Sequence, residues 1–433
     1  MAPLKIAVAK NILLVLLTLI CINVFPQSNP EAIYKSNIRT VRFHGYRNQQ
    51  SLPIYRLNSG DKLLLDFDDT DADVKSYYYT FQICDYNWQP VDISTFDYLK
   101  GFTQIRIDDY RYSSIAYTKY THYQAVLPDP SSVPTMSGNY LLKVFLDGDT
   151  SNLVFTRRLY VLDSKATIAG QVVPPFSTDG GNQRIKFVTN VGNINAFSAA
   201  QQVKVIMMQN YRWDNEQGIN VSPTFIRGTN VLEYNSENNF VFPGGNEWRY
   251  ADLQSFHLRG EHVDSIADKK TSTEIFLRTD GDRSAFKYTY YVDMNGLYSI
   301  KTFDNQNPSY ISDYATVHFS FAPSNHIPYT DKDIYLWGQL TDYQLNDDTK
   351  MHFNQAKGVY ETTAFLKQGY YNYGYLLVNK NDPTQTSMPD GNHFDTENNY
   401  TIFIYYRSFN DQTDELIGIA TIDSRTDKPG VSF

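Results

Sequence analysis

The sequence predicts an all-β protein, built from tandem immunoglobulin-like β-sandwich domains that follow a cleaved signal peptide. Aromatic residues make up 15% of the 433 residues, led by 35 Tyr and 26 Phe, and such side chains favour strands. Runs of strand length recur between Gly, Asn, Asp or Pro, whereas amphipathic helical periodicity is nearly absent. Short strands repeatedly separated by turns favour sandwiches, in which each sheet buries one face against the other.

Residues 1–27 read as the signal peptide. Lys5 and Lys10 precede an uncharged apolar run over residues 12–24, which is the usual order of charge and hydrophobicity in a secretory leader. A membrane-spanning helix needs about 20 predominantly apolar residues, and no later window approaches that length. We therefore expect an exported mature protein without direct membrane insertion, with cleavage placed after Gln27.

The two cysteines bear on anchoring and on disulfides. Cys21 ends the apolar run, which leaves a lipoprotein anchor open, although Ile20 stands where lipoprotein processing normally has Gly, Ala or Ser. Without the leader, Cys84 is the only cysteine left, so no internal disulfide forms. Because Cys84 lies in an apolar strand pattern, we predict a buried, inert thiol.

The charge of the chain bears on its partners. The formal net charge is -9 and becomes -11 once residues 1–27 are removed, since these carry two lysines and no acids. An acidic surface argues against nucleic acid and against anionic membranes as partners. It does not specify which protein partner is present.

The length suggests about three domains of roughly 100 to 200 residues each. We predict a first sandwich over residues 31–163, a second over 164–323 and a third over 324–433. The first boundary follows a long strand pattern, and the second follows an aromatic strand pattern that ends at Pro323. The third unit resembles early-set immunoglobulin-like modules, including starch- and glycogen-binding ones.

An acidic segment offers a possible cation site. Six carboxylates fall in residues 61–73, including DFDDTDAD at 66–73, and calcium prefers such oxygen ligands. An EF-hand counted from Asp66 would need Gly at its sixth position and Glu at its twelfth, where this chain has Asp71 and Tyr77. The spacing favours a solvated acidic loop over a metal site, and both interpretations remain open.

Motifs for catalysis or cofactor binding are missing from the sequence. His257 and His262 are five positions apart, not the three or four of a metal-binding helix, so a hydrogen-bonded loop that includes Glu261 is the better interpretation. A G-x-S-x-G elbow, a Walker A loop and a Cys-x-x-Cys pair are all absent. We expect a protein that is not an enzyme and holds no cofactor or metal.

Two tryptophans are the candidate partner-contact residues. Trp213 and Trp248 lie in the polar, turn-rich stretches YRWDNEQG and PGGNEWRY, where exposed binding residues and loop anchors are equally plausible. The alternating aromatics Tyr77, Tyr79 and Phe81 are instead predicted to pack in the core and in cross-strand pairs.

A series of short landmarks is superimposed on this strand pattern. They are Asp85 and Trp88 after Cys84, the Gly101-Phe102 pair, the Thr121-His122-Tyr123 triplet, and Ser137-Gly138-Asn139-Tyr140. In this order they resemble the first domain of the plug protein of the type IX protein secretion system, the export machinery of Bacteroidetes-type bacteria. One departure is Ile83, which stands where the family has a His.

The resemblance implies a noncatalytic periplasmic protein that docks on the outer-membrane type IX translocon channel protein and plugs or gates it. It carries over no catalytic or ligand residues and does not define the oligomeric state. The alternative is a carbohydrate-binding surface protein of β-sandwich modules, suggested by the third unit and by aromatic residues in loops. Identifying the partners that copurify with the protein separates the two hypotheses.

Overall fold

The computed structural model of the protein describes residues 30–176, 180–192, 194, 198–218, 220–228 and 230–427. The predicted signal peptide and Cys21 lie outside these residues. In the described part, strands predominate and the all-β prediction is confirmed. The helices found there are single turns, and none is long or apolar enough to cross a membrane. They are Thr95–Tyr98, Ala199–Gln202 and Pro308–Ile311, with 3-10 turns at Trp213–Asn215 and Gln339–Thr341.

A first sandwich forms from the N-terminal third of the chain. One sheet has the order β1-β12-β11-β5-β7 with β3 beside β12, a second has the order β2-β4-β9-β8, and β6 pairs with β10. The strands are β1 Ala32–Ile33, β2 Ile38–Gly45, β3 Ile54–Arg56, β4 Leu63–Asp69, β5 Tyr77–Cys84, β6 Leu99–Gly101, β7 Ile105–Arg106, β8 Asp109–Tyr112, β9 Thr121–Leu127, β10 Ser132–Pro134, β11 Gly138–Leu146 and β12 Leu153–Leu162.

Strand β5 shows why the aromatic residues belong inside. Tyr77, Tyr79 and Phe81 alternate with less buried neighbours and all three are buried in the first core, which confirms their predicted place. Phe67 of the facing sheet meets Tyr77 edge-on, with ring centroids 5.0 Å apart. Cys84 at the end of β5 is a buried free thiol, as predicted, and burial raises its pKa to about 12.

The rest of the chain forms two further sandwiches. Its strands are β13 Thr167–Val173, β14 Asn182–Asn190, β15 Val203–Gln209, β16 Phe225–Arg227, β17 Val231–Tyr234, β18 Val241–Pro243, β19 Arg249–Asp252, β20 Val263–Asp268, β21 Thr273–Leu277, β22 Asp280–Gly281, β23 Tyr298–Ser299, β24 Tyr314–Ala322, β25 Lys332–Trp337, β26 His352–Asn354, β27 Val359–Lys367, β28 Tyr370–Asn379, β29 Thr386–Ser387, β30 Asn399–Tyr406 and β31 Glu415–Asp423.

We call these the middle and the inserted sandwich. In the middle sandwich, sheet β13-β14-β17-β16 with β18 shares a core with sheet β15-β30-β31. In the inserted sandwich, sheet β20-β21-β24-β27-β26 with β22 packs against a sheet centred on β28, which pairs with β19, β23, β25 and β29.

This pairing corrects the predicted boundary between residues 164–323 and 324–433. Strand β15 pairs with β30 along its whole length, from Val203 opposite Tyr406 to Gln209 opposite Tyr400. The middle sandwich is therefore assembled from two separate stretches of chain, and the inserted sandwich lies between them in sequence. The prediction was wrong because apolar alternation identifies strands but does not reveal their distant partners.

Candidate functional site

A buried ionic cluster joins the first sandwich to the inserted one. Lys367 at the end of β27 places its Nζ 2.6 Å from Asp68 Oδ2 of β4, and His122 Nδ1 of β9 lies 2.7 Å from Asp68 Oδ1. Asp68 and Lys367 are each only 1% exposed. Burial disfavours the carboxylate charge, yet the Lys367 ammonium and His122 together lower the pKa of Asp68.

Two tyrosines complete this cluster across the same interface. Tyr314 of the inserted sandwich donates its hydroxyl to Asp68 at 2.5 Å, and Tyr120 of the first donates to the Ser312 carbonyl at 2.7 Å. The Lys367 ammonium also lies 4.2 Å from the centre of the Tyr120 ring. Asp68 thus keeps several partners in a dry interface, which is what a buried charge requires.

Other landmarks lie where the first sandwich meets the middle one. Trp88 packs edge-on against Tyr160, at 5.3 Å between ring centroids, in an apolar cluster shared with β15, β30 and β31. Asn139 donates to the Asp85 carbonyl at 3.2 Å and accepts the Tyr405 hydroxyl at 2.8 Å. These landmarks, like His122, therefore bind the first sandwich to the rest of the molecule.

The acidic segment has an internal counter-ion. The Lys75 ammonium lies 2.6 Å from Asp69, 2.7 Å from Asp71 and 2.7 Å from Asp73. These three carboxylates are close enough together to hold a cation, and in the described residues no other group of three His, Cys, Asp or Glu side chains is. A lysine side chain therefore occupies the place considered for calcium.

His257 and His262 lie between β19 and β20 of the inserted sandwich. The His257 amide donates to Ser255 Oγ at 3.1 Å, and the His262 ring meets Tyr250 edge-on at 4.5 Å. These contacts fit the predicted hydrogen-bonded loop.

The structure separates the two predicted partner-contact tryptophans by burial. Trp248 is only 5% exposed and stacks on Trp337, with ring centroids 5.1 Å apart, which fits the loop-anchor interpretation and not the exposed one. Gly296 makes room for it, since a Cβ there would lie 2.7 Å from the Trp248 ring. Trp213 is partly buried, and its indole N–H donates to the Asp342 carbonyl at 3.0 Å.

Both tryptophans line one cavity of about 830 Å³, which we call the tryptophan cavity. It lies between the middle and inserted sandwiches, because its walls come from the β15–β19 region and from residues 337–398. Its apolar lining includes Trp213, Trp248, Trp337, Tyr343, Leu345, Leu376 and Met388. Sequence reasoning singled out two of these residues. It could not predict that the other five join them, because those residues lie far away along the chain.

The polar lining of the tryptophan cavity is largely engaged with itself. Arg212 pairs with Asp214 at 2.9 Å and lies 4.0 Å over the Trp337 ring. No other charged residue is found in the described lining. Its amides bind other groups of the same chain: Asn210 donates to Asn398 at 2.7 Å, Gln209 to the Pro243 carbonyl at 2.8 Å, and Asn392 accepts the Gly245 amide at 2.9 Å.

The fold and these interfaces define a class: a protein of predominantly antiparallel β-sandwiches joined by buried contacts, with a large cavity between two of them. Residues 38–163 match the family model for the Type 9 secretion system plug protein 1st domain. This match confirms the resemblance inferred from the landmarks: residues 38–163 of the chain belong to this domain family.

The wider fold has a counterpart among solved structures. The crystal structure of a hypothetical protein from Parabacteroides merdae ATCC 43184 is similar, with a TM-score of 0.86 and 28% identity over 91% of this chain and 98% of that one. A structure of E. coli alpha-2-macroglobulin aligns with 90% of this chain and 34% of that chain at 11% identity, but the TM-score of 0.16 is too low to indicate a shared fold. No curated protein matches the sequence.

Proposed function

We propose that this protein is a noncatalytic periplasmic component of the type IX secretion system that plugs or gates the outer-membrane translocon. The observation that carries the proposal is the match of residues 38–163 to the plug protein's first domain. Blocking a channel requires a stable, preformed surface and no chemical step.

The way the sandwiches are joined supports this role. A plug must resist being pulled apart. The buried ionic cluster around Asp68 fastens the first sandwich to the inserted one, and the apolar cluster around Trp88 fastens it to the middle one. Buried, hydrogen-bonded charges of this kind are costly to separate, because each would be left unpaired in an apolar setting. The first sandwich would therefore dock on the channel together with the others.

Affinity purification from the native cells tests the proposal. The tagged protein, extracted in mild detergent, should carry with it the outer-membrane translocon channel protein, and an unrelated periplasmic protein bearing the same tag should not. Recovery without that channel protein under conditions that preserve weak complexes would contradict the proposal. The carbohydrate-binding alternative would then gain support.

A cell-based assay tests both location and gating. Protease added to intact cells should spare the protein, whereas it would remove a surface-anchored one. Deleting the gene should raise the uptake of a small, membrane-impermeant dye, because an unplugged channel conducts small molecules. Unchanged uptake in cells that still assemble the translocon would argue against a plug.

A further inference from the structure

We infer that the tryptophan cavity receives an extended, uncharged polypeptide segment of a partner, with a bulky apolar side chain inserted in the cavity. The inference rests on the proposed function only for the identity of the partner, the translocon channel protein. The binding chemistry follows from the cavity itself.

The size and walls of the cavity favour an apolar occupant. Its volume of about 830 Å³ lies within the roughly 300–1,000 Å³ typical of ligand sites. Leu345 is 44% exposed and Met388 is partly buried, so part of the apolar wall is accessible from solvent. A flexible Met beside rigid indoles adapts well to an incoming side chain.

The polar lining argues against a sugar and against a charged ligand. Sugar hydroxyls need free donors and acceptors, but Gln209, Asn392 and Asn398 already bind groups of their own chain. Arg212 and Asp214 neutralise each other. A charged occupant would therefore lose its hydration without gaining a counter-ion.

A sheet edge beside the cavity favours a polypeptide over an acyl chain. Thr386 and Ser387 form β29, which pairs only with β28 among the described strands, and both side chains are exposed. Both residues also line the cavity. An edge strand can hydrogen-bond to an added strand, and an acyl chain cannot make those bonds. The edge and the apolar wall together fit a strand that inserts one side chain.

Site-specific photocrosslinking in the native cells tests this inference. A photoreactive amino acid replaces Thr386, and the matched control replaces Thr363, an exposed strand residue outside the cavity. We expect an adduct from Thr386 alone, mapped by mass spectrometry to an uncharged segment with a bulky apolar residue. A glycan or lipid adduct, a charged segment, or no adduct above the control overturns the inference.

A pair of leucine variants measures the contribution of the apolar wall. Leu345→Arg places a charge in the cavity. The control Leu258→Arg places the same charge at a leucine that is 68% exposed and lies outside the cavity. Because both side chains reach solvent, we expect both variants to fold with the wild-type melting temperature. Leu345→Arg should lower the Thr386 adduct at least about tenfold, equivalent to about 1.4 kcal/mol of binding. Equal yields from the two variants overturn the inference.

These results separate the inference from the proposed function. If the channel protein copurifies but Thr386 gives no polypeptide adduct, the cavity inference fails and the plug proposal stands. If the channel protein never copurifies but Thr386 yields an uncharged segment of another protein, the plug proposal fails and the cavity inference holds.

Discussion

Two neighbouring aspartates in one strand have very different partners. Asp68 is neutralised by Lys367, which is 299 positions away in another sandwich, whereas Asp69 is neutralised by Lys75, only six positions on. The first ion pair is fully buried, and the second involves a lysine that still reaches solvent. One acidic motif therefore serves two structural purposes: Asp68 fastens two sandwiches together, and Asp69 helps to close a local loop.

The largest effect should come from removing the distant lysine. Lys367→Met leaves Asp68 buried without its cation, and breaking such a pair costs about 3–5 kcal/mol of unfolding free energy. Urea unfolding monitored by tyrosine and tryptophan fluorescence measures the loss. The control is Lys357→Met, which removes an exposed i,i+4 pair with Glu361 and should cost less than about 1 kcal/mol. Similar losses in both variants would show that the buried pair has no special role.

A second substitution sharpens this result. Adding Asp68→Asn to Lys367→Met removes the orphaned charge, so the double variant should recover part of the lost stability. A double variant no more stable than Lys367→Met would mean that Asp68 is already protonated when its lysine is missing.

A third carboxylate shows what burial does without a lysine. Burial, together with the neighbouring Glu247 and Glu397, raises the pKa of Asp293 to about 7. Between about pH 4 and pH 7 the folded state therefore keeps a proton that the unfolded state has already released. This stabilisation is present at low pH and is lost as the pH rises through 7, so the melting temperature should fall between pH 5 and 8.

The control for this pH effect is Asp293→Asn, which cannot ionise and should flatten the decline in melting temperature. Asp68 contributes in the opposite direction, because its lowered pKa makes its stabilisation vanish only as the pH falls through that value. A wild-type melting temperature that rises steadily from pH 5 to 8 would contradict the assignment to Asp293.

Removing the local lysine should cost less than removing the distant one. In Lys75→Ala, Asp69 keeps the hydrogen bonds from Asn37 at 2.6 Å and from Tyr77 at 2.9 Å. We expect a loss of about 1–2 kcal/mol, typical of a partly compensated polar group. Urea unfolding checks this value, and a loss equal to that of Lys367→Met would remove the distinction between the two aspartates.

Calcium should have the smallest effect, and it should depend on Lys75. In the wild type the ammonium already lies among the three carboxylates, so millimolar calcium should leave the melting temperature unchanged. In Lys75→Ala, Asp69, Asp71 and Asp73 become available to a hard cation, and calcium should raise the melting temperature by a few degrees. Adding Asp71→Asn should weaken this gain, and calcium stabilisation of the wild type would contradict the expectation.

Local patterns in the sequence predicted a good deal of this molecule. The alternation of Tyr77, Tyr79 and Phe81 identified the first core, and Cys84 was correctly predicted to be buried. The ordered landmarks led to the right domain family. Each of these inferences depends on neighbours within a few positions, where side-chain periodicity and turn chemistry act directly.

Features that depend on distant partners were not predictable in this way. Trp248 follows a polar, glycine-rich stretch typical of a surface loop, but Trp337 covers it, and Gly296 leaves the space it needs. A lysine at the end of a strand, such as Lys367, is usually solvated, and only the docked first sandwich makes it a buried cation. The tryptophan cavity has the same origin, since its walls meet only after two sandwiches pack.

The pairing of β15 with β30 also has a consequence for how the chain matures. The N-terminal strands are synthesised first. The contact of Gln209 with Tyr400 cannot form until the chain is 191 residues longer. Until then, β15 has an open edge, and closing so long a loop is entropically slow. Folding of the inserted sandwich shortens that loop and brings its two ends together. A polypeptide truncated before residue 399 would lack a closed middle sandwich. This sandwich can therefore complete its folding only after the strands beyond residue 399 have been synthesised.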